Sequence, residues 1–202
     1  ILRLMVPDMG VLPWLGLSVA AMAGAGSIAP LWKRNLRRTP LFTWGMVIAH
    51  FGVAVALAGM AADTAFMKEK LVALQAGEQT QVGPFQVRLA AVSPVIGPNW
   101  TALEAQLEAK RYSGSNLTLR PQARTYAAPV TDTSEASIAT LIDGQLYAVL
   151  GKPGEDGRWQ LRLWWKPWVT LIWLGGILIA FGGILALLGR LWRERRLSGE
   201  PS

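Results

Sequence analysis

The only histidine of this chain, His50, lies in the uncharged run of residues 41–62. At a helical rise of about 1.5 Å per residue, a run of this length crosses a hydrocarbon core of about 30 Å. An ionisable side chain at mid-bilayer costs about 2.5 kcal/mol or more, so it usually faces a partner, a water-filled cavity or a cofactor. Neutral imidazole is also a common axial ligand of haem iron. His50 is therefore the first candidate for a functional residue.

Two stripes of residues at spacings of three and four surround this histidine. The first consists of small residues: Gly45, Ala49, Gly52, Ala56 and Gly59. The second is apolar apart from the histidine: Met46, His50, Val53, Leu57 and Met60. Small residues predict the close approach of another helix, and an apolar wall with one nitrogen ligand suits the edge of a haem. The alternative interpretation is a histidine that hydrogen-bonds to a neighbouring helix, because polar side chains do join membrane helices.

Two further apolar runs accompany residues 41–62, and together they predict three transmembrane helices, at about 10–29, 41–62 and 167–189. Four tryptophans near the start of the third run predict an interfacial belt: Trp164, Trp165, Trp168 and Trp173. Small residues share one face of the same run and predict a packing surface: Gly175, Gly182, Ala186 and Gly189.

The charge distribution predicts how these helices are oriented. The net charge is +7, and the basic excess lies in residues 1–40 and in the tail, residues 190–202. Basic residues beside spans accumulate on the cytoplasmic side, so the loop between the first two spans and the tail are predicted to be cytoplasmic. Residues 63–166 then lie on the opposite, periplasmic side. Their charges nearly balance, which excludes a nucleic-acid-binding surface.

Residues 63–166 have the pattern of a small all-β domain. Leu103, Ala105, Leu107 and Ala109 alternate with polar residues, which predicts a strand with one face on a core. Further strands are predicted at 85–92, 116–124, 137–142, 145–150 and 158–165, with a hairpin turn at Asp143-Gly144. The predicted fold is therefore a β-sandwich or open barrel between the second and third spans.

This outer segment lacks the groups of nucleophilic catalysis, because it contains no histidine, no cysteine and no serine beside a base. The chain has no cysteine at all, so thiolate metal sites are excluded. We predict no catalytic residue here. Arg124, Tyr126 and Glu135 form the most notable polar group, interpreted either as an internal ion pair beside a tyrosine or as a surface that docks a partner.

Several segments together resemble one known family. They are Ala49-His50-Phe51-Gly52-Val53-Ala54, Arg124-Thr125-Tyr126, Thr133-Ser134-Glu135, Leu146-Tyr147 before Gly151, and Lys166-Pro167 before Ile172-Trp173-Leu174-Gly175. In this combination they are similar to the C-terminal part of CcmF/NrfE-type cytochrome c haem lyase subunits. The resemblance covers the chain from the first span to the arginine tail.

The resemblance implies a bacterial inner-membrane protein that attaches haem to apocytochrome c. It implies a b-type haem among the spans, with His50 as one axial ligand, that reduces the substrate haem before attachment. The implied partners are a periplasmic haem chaperone, the subunit that presents apocytochrome c, apocytochrome c itself and a quinol electron donor.

The chain also departs from that family. The family has a tryptophan-rich haem-handling segment, two periplasmic histidines and a second membrane histidine, and a chain with one histidine lacks all three of these features. We therefore expect an upstream part of the same lyase, and no catalysis by this region alone. The alternative is a membrane-anchored assembly scaffold in which His50 only packs.

Overall fold

The computed structural model describes residues 10–111, 114 and 116–198, with side chains described as far as Arg195. The end of the predicted basic tail, including the Arg196 side chain, lies outside the described residues. The chain divides into two compact units. One comprises residues up to Ala65 together with those from Trp168, and the other is Phe66–Pro167.

Among the described residues, the first unit contains three long helices, besides the short 3-10 helices Ala29–Leu31 and Leu36–Arg38. The long helices are α1 (Val11–Ile28), α2 (Leu41–Phe66) and α3 (Thr170–Ser198). Within the described ranges, three helical segments are long and apolar enough to cross a membrane: Val11–Leu31, Leu41–Phe66 and Thr170–Arg195. Helix α2 extends beyond the predicted end at residue 62, because Thr64 does not interrupt it: the Thr64 hydroxyl donates to the Met60 carbonyl, 3.0 Å away.

Helices α2 and α3 pack through the two small-residue stripes that the sequence singled out. A β-carbon added at Gly52 would lie 2.8 Å from the Gly175 carbonyl oxygen, and one added at Gly182 would lie 2.6 Å from the Gly45 carbonyl oxygen. Real β-carbons do not come this close to other atoms, so the contact requires glycine. The predicted close helix contact is confirmed.

Helix α1 packs on a different side of α2. A β-carbon at Gly24 would lie 3.6 Å from the Ala54 β-carbon, and one at Gly16 would lie 2.9 Å from that of Ala61. Ala54 and Ala61 are both buried. Two of the sides of α2 are therefore covered within this unit, each by a helix that approaches over small residues.

The second unit is a sandwich of two antiparallel sheets. Its strands are β1 (Lys68–Leu74), β2 (Gln79–Val82), β3 (Phe85–Ile96), β4 (Trp100–Arg111), β5 (Leu117–Leu119), β6 (Gln122–Ala127), β7 (Val130–Glu135), β8 (Ser137–Leu141), β9 (Gly144–Pro153) and β10 (Trp159–Pro167). One sheet has the order β1-β10-β9-β8. The other has the order β2-β3-β4-β6-β7, with β5 paired to β4. The predicted fold class, three membrane helices with a β-sandwich between the second and third, is confirmed.

The core between the sheets is apolar. Its largest buried side chains come from strands of both sheets: Phe85, Leu89, Leu107, Leu119, Leu146, Leu150, Leu161 and Leu163. The predicted alternation in β4 is correct for Ala105, Leu107 and Ala109, whereas Leu103 is 37% exposed. Leu103 points to the same side as these residues but lies where the sheets leave a cleft, described below.

The structure corrects several details of the predicted strands. The predicted strand 116–124 is two strands, β5 and β6, which are separated at Arg120 and Pro121, since proline cannot donate to the ladder. The hairpin turn lies one residue earlier than predicted, at Ile142 and Asp143, because Leu141 pairs with Gly144. Strands β1, β2 and β7 were missed, because β1 and β7 are mostly exposed and β2 has only four residues, so none of them gives a clear apolar alternation.

Trp165 does not belong to an interfacial belt. It lies in β10, is only 6% exposed, and its ring centroid is 5.1 Å from that of Phe85. It also lies against Gly83, where a β-carbon would come 2.6 Å from the indole Cδ1. Because side chains alternate along a strand, Trp165 faces the sandwich core, while its neighbour Trp164 faces outward beside Arg162.

Candidate functional site

His50 lies on α2 with its imidazole held by the backbone of its own helix. The Nδ1 atom is 2.8 Å from the Met46 carbonyl oxygen. A carbonyl oxygen can only accept a hydrogen bond, so this contact requires the proton on Nδ1. The lone pair of the neutral ring is then on Nε2. A single backbone contact thus selects the tautomer whose outer nitrogen is able to bind a metal ion.

The His50 side chain lies on the side of α2 that neither α1 nor α3 covers. At about 100° per residue, the stripe of Met46, His50 and Val53 is turned about a quarter of a circle from the glycine stripe that contacts α3. Met46, Val53 and Met60 are 39%, 44% and 47% exposed, and His50 is exposed as well. The histidine stripe is therefore an open apolar surface that contains one imidazole.

A cavity of about 370 Å³ adjoins this stripe near the start of α2. It is lined by Phe42 and Met46 of α2 and by Ala186, Arg190 and Arg193 of α3. The Arg193 guanidinium carbon is 6.0 Å from the centroid of the Phe42 ring, and Arg190 Nε donates to Glu194 Oε1 at 3.0 Å. We refer to this cavity as the arginine pocket. It combines apolar walls with two guanidinium groups.

Within the ranges that the structure describes, no cluster of three or more His, Cys, Asp or Glu side chains could hold a metal ion. The part of the chain described here therefore provides one imidazole rather than a complete ligand set. A single imidazole on an apolar surface suits a haem, because the porphyrin supplies four of the iron ligands and the apolar wall contacts its edge or faces.

The second group predicted from the sequence lies on the outer face of β6 and β7. Arg124 Nη1 is 3.3 Å from Glu135 Oε1, and Arg124 Nε donates to Gln122 Oε1 at 2.8 Å. The Arg124 guanidinium also lies over the Trp100 ring, with its carbon 4.3 Å from the centroid. Arg124 and Glu135 therefore come together as an ion pair. Among the described residues Tyr126 joins neither of them in a hydrogen bond, although it shares their face of the sheet.

Sequence reasoning missed three members of this polar group. Gln122 Nε2 donates to Glu104 Oε2 at 2.5 Å, and Trp100 lies opposite Tyr126 in the β4–β6 register. Trp100 and Glu104 lie on β4, about 20 residues from Arg124 in sequence. Only the strand pairing brings them to Arg124, so no local spacing could have indicated them.

A cleft of about 540 Å³ opens between the two sheets on the inner side of the same strands. Its apolar lining includes Leu103, Leu150 and Trp159, and its charged lining includes Asp132 and Lys152. The Asp132 carboxylate accepts a hydrogen bond from the Thr125 hydroxyl at 2.7 Å. The β6–β7 region therefore carries the Arg124 group on its outer face and borders this cleft on its inner face.

Two carboxylates of the sandwich have pKa values below the ordinary value for glutamate. The Gln75 backbone N–H and the Arg158 guanidinium, which donates two bonds of 2.8 Å, lower the pKa of Glu78. The Arg162 guanidinium lowers the pKa of Glu69. Both carboxylates are paired across neighbouring strands or turns.

Comparison with known families gives one match that covers half of the chain. The model of the family described as "CcmF C-terminal beta-sandwich" matches residues 65–167. Among curated relatives, the cytochrome c-type biogenesis protein CcmF of Haemophilus influenzae is 35% identical over 159 residues, which is 79% of this chain and 24% of that protein. CcmF of Escherichia coli K12 is 33% identical over 198 residues, which is 92% of this chain and 31% of that protein. The NrfE protein of Haemophilus influenzae is 31% identical over 159 residues, 79% of this chain and 25% of that protein.

A solved structure, described as the cytochrome c haem lyase CcmF, has the same fold. The TM-score is 0.71 at 20% identity, and the match covers 89% of this chain and 31% of that chain. The chain therefore spans between a quarter and a third of the length of the relatives that it matches.

Proposed function

Because the chain belongs to the CcmF family of cytochrome c biogenesis proteins, we propose that it forms the C-terminal region of an inner-membrane haem lyase subunit. In this proposal α2 binds a b-type haem through His50, and the haem reduces the substrate haem before its attachment to apocytochrome c. The β-sandwich docks protein partners. The region contributes ligand, pocket and docking surface, while the covalent chemistry requires the rest of the lyase.

The hydrogen bond between His50 Nδ1 and the Met46 carbonyl is the observation that carries the haem proposal. It leaves the Nε2 lone pair on an open side of α2. A hydrogen bond on the second ring nitrogen is also the usual way in which a protein orients an imidazole ligand and raises its basicity.

The residues around His50 fit a haem in shape and polarity. Met46, Val53 and Met60 present apolar groups on the same side of the helix, and all three are exposed in this chain. The glycine contact packs α2 against α3 about a quarter of a circle away from these side chains. A bound haem supplies one-electron transfer at this position. The chain supplies one axial nitrogen, fixes its orientation and keeps water from one edge of the ring.

The family membership also supports a set of partners. CcmF relatives are cytochrome c biogenesis proteins by name, so we infer that the sandwich faces the periplasm and contacts a haem chaperone, the apocytochrome-presenting subunit and apocytochrome c. Arg124, Tyr126 and Glu135 form part of the proposed docking surface, beside the inner cleft. A quinol is the proposed electron donor, and the missing axial ligand is assigned to the upstream part of the lyase.

The competing function is a membrane-anchored assembly scaffold without haem. In that case the open stripe of α2 would be covered by further helices, with His50 as a packing residue. The two functions differ in one observable, because only the first requires iron at His50.

The test is a reduced-minus-oxidised visible spectrum of the complete protein, purified in detergent, compared with its His50→Ala variant. We expect a low-spin b-type signal in the wild type and its loss in the variant. Thr64→Ala is a matched control, since Thr64 also bonds to a carbonyl of its own helix and is exposed on α2. A b-type signal that persists in His50→Ala, or a wild-type protein that contains no haem, would refute haem ligation by His50 and support the scaffold function instead.

A further inference from the structure

The arginine pocket and His50 share one residue and one side of α2. The Met46 carbonyl accepts the hydrogen bond from His50, and the Met46 side chain lines the pocket. Phe42 and Met46 precede His50 by eight and four residues, which corresponds to about 12 Å and 6 Å along the helix axis. The pocket therefore lies one to two turns from the candidate iron ligand, toward the start of α2.

The residues that line the pocket favour a ligand with an apolar part and an anionic part. Phe42, Met46 and Ala186 form its apolar walls, and these continue into the apolar histidine stripe. Arg190 and Arg193 add two guanidinium groups, which match carboxylate geometry with paired hydrogen bonds. The ligand that fits is an apolar body with carboxylates at the end that is nearer the start of α2.

We propose that Arg190 and Arg193 bind the propionate carboxylates of the haem whose iron His50 ligates, an inference that rests on the proposed function. Both propionates of a haem lie on one edge of the macrocycle, away from the iron. An arginine pair displaced along α2 from the ligand can therefore reach that edge, while the histidine stripe contacts the ring. Arg190 and Arg193 are positioning residues in this scheme, and they fix the direction in which the haem lies.

The charges around the pocket predict the direction in which each substitution should change the reduction potential of the haem. Reduction adds one electron to the haem, so nearby positive charge favours the reduced form and nearby negative charge opposes it. Arg190 and Arg193 should raise the reduction potential, whereas Glu194, which pairs with Arg190 at 3.0 Å, should lower it. A unit charge about 10 Å away in an effective dielectric of about 20 changes the equilibrium roughly tenfold.

The experiment is an equilibrium redox titration of the b-type signal in the complete protein, purified in detergent, with haem counted per polypeptide. The Arg190→Gln/Arg193→Gln variant removes two positive charges and should lower the equilibrium constant for reduction about a hundredfold, which is about 118 mV for one electron at about 59 mV per tenfold change. Glu194→Gln should shift it in the opposite direction. The matched control is Arg34→Gln/Arg37→Gln, which removes two exposed arginines from the loop before α2 and should change the constant less than about twofold.

Several results would overturn the proposal that Arg190 and Arg193 bind the propionates. Equal shifts in the two double variants, or no shift in the pocket variant, would show that the pocket does not bind the propionates. If the glutamine variant retains no haem, Arg190→Lys/Arg193→Lys is titrated instead: restored haem supports the proposal, and haem no better than in the glutamine variant overturns it. Loss of bound anionic phospholipid from the pocket variant at an unchanged potential also overturns it, with lipid as the occupant.

The His50→Ala variant separates this inference from the function on which it rests. A b-type signal that survives His50→Ala refutes the ligation itself. A signal that is lost in His50→Ala but unaffected by the pocket variants refutes only the role of Arg190 and Arg193.

Discussion

Gly52 of α2 and Gly175 of α3 lie directly opposite each other in the helix contact, so that a β-carbon on either would come within 2.8 Å of the other's carbonyl oxygen. This contact fixes the side of α2 that faces α3. Since Gly52 and His50 are two residues apart on one helix, it also determines the direction in which the imidazole points. The glycine pair thus links helix packing to the candidate haem ligand.

The first prediction concerns this contact. Gly175→Val should destabilise the helix unit by about 1 to 3 kcal/mol, because the new side chain overlaps the α2 backbone. Gly176→Val, one residue along the same helix, should be neutral within about 0.5 kcal/mol, because a β-carbon at Gly176 meets nothing within 4 Å. Thermal unfolding in detergent would measure both. Equal melting temperatures for the two variants would contradict the packing described.

The second prediction concerns the Glu78–Arg158 pair. The pKa of Glu78 in the folded protein is below the ordinary glutamate value of about 4.3. The charged Glu78 carboxylate therefore stabilises the fold at pH values above about 4.3. This stability is lost as the pH falls through the lowered pKa. Glu78→Gln should therefore lower the melting temperature at pH 7 and reduce its dependence on pH below about 5. A variant with the same acid dependence as the wild type would assign that dependence to other carboxylates.

The third prediction concerns the tryptophan pair in β10. Trp165→Ala should cost about 3 to 5 kcal/mol, because the indole is buried against Phe85 and Gly83 and its removal leaves a cavity. Trp164→Ala should cost far less, since its ring lies on the outer side beside Arg162. Urea unfolding of both variants gives the comparison. If Trp164→Ala proved the more damaging change, the described orientation of β10 would be wrong.

The fourth prediction concerns the docking surface proposed at β6. The Arg124–Glu135 pair is partly exposed, so Arg124→Met should reduce stability by at most about 1 kcal/mol. The same change should weaken binding to the apocytochrome-presenting subunit, measured by co-purification of the assembled complex. Arg88→Met is the control, because Arg88 also pairs with a glutamate on the sandwich surface, Glu108 at 3.5 Å, but is more exposed than Arg124. Equal binding by both variants would argue against a docking role for Arg124.

The sequence by itself determined the three spans, the sandwich between the second and third, and the candidate ligand. These features depend on local signals, such as uninterrupted apolar runs, alternation along β4 and an ionisable residue in an apolar helix. The small-residue packing stripes could also be predicted from the sequence, because residues three and four apart share a helix face.

Tertiary structure alone decided the rest, because it depends on pairing between distant segments. Trp164 and Trp165 are neighbours of one type, and only the pairing of β10 within its sheet places one in the core and the other outside. Glu104, Gln122 and Arg124 meet through the β4–β6 register, and Arg193 reaches the Phe42 ring through the α2–α3 contact. The tautomer of His50 required the position of the Met46 carbonyl, because a hydrogen bond has a direction that residue spacing alone does not specify.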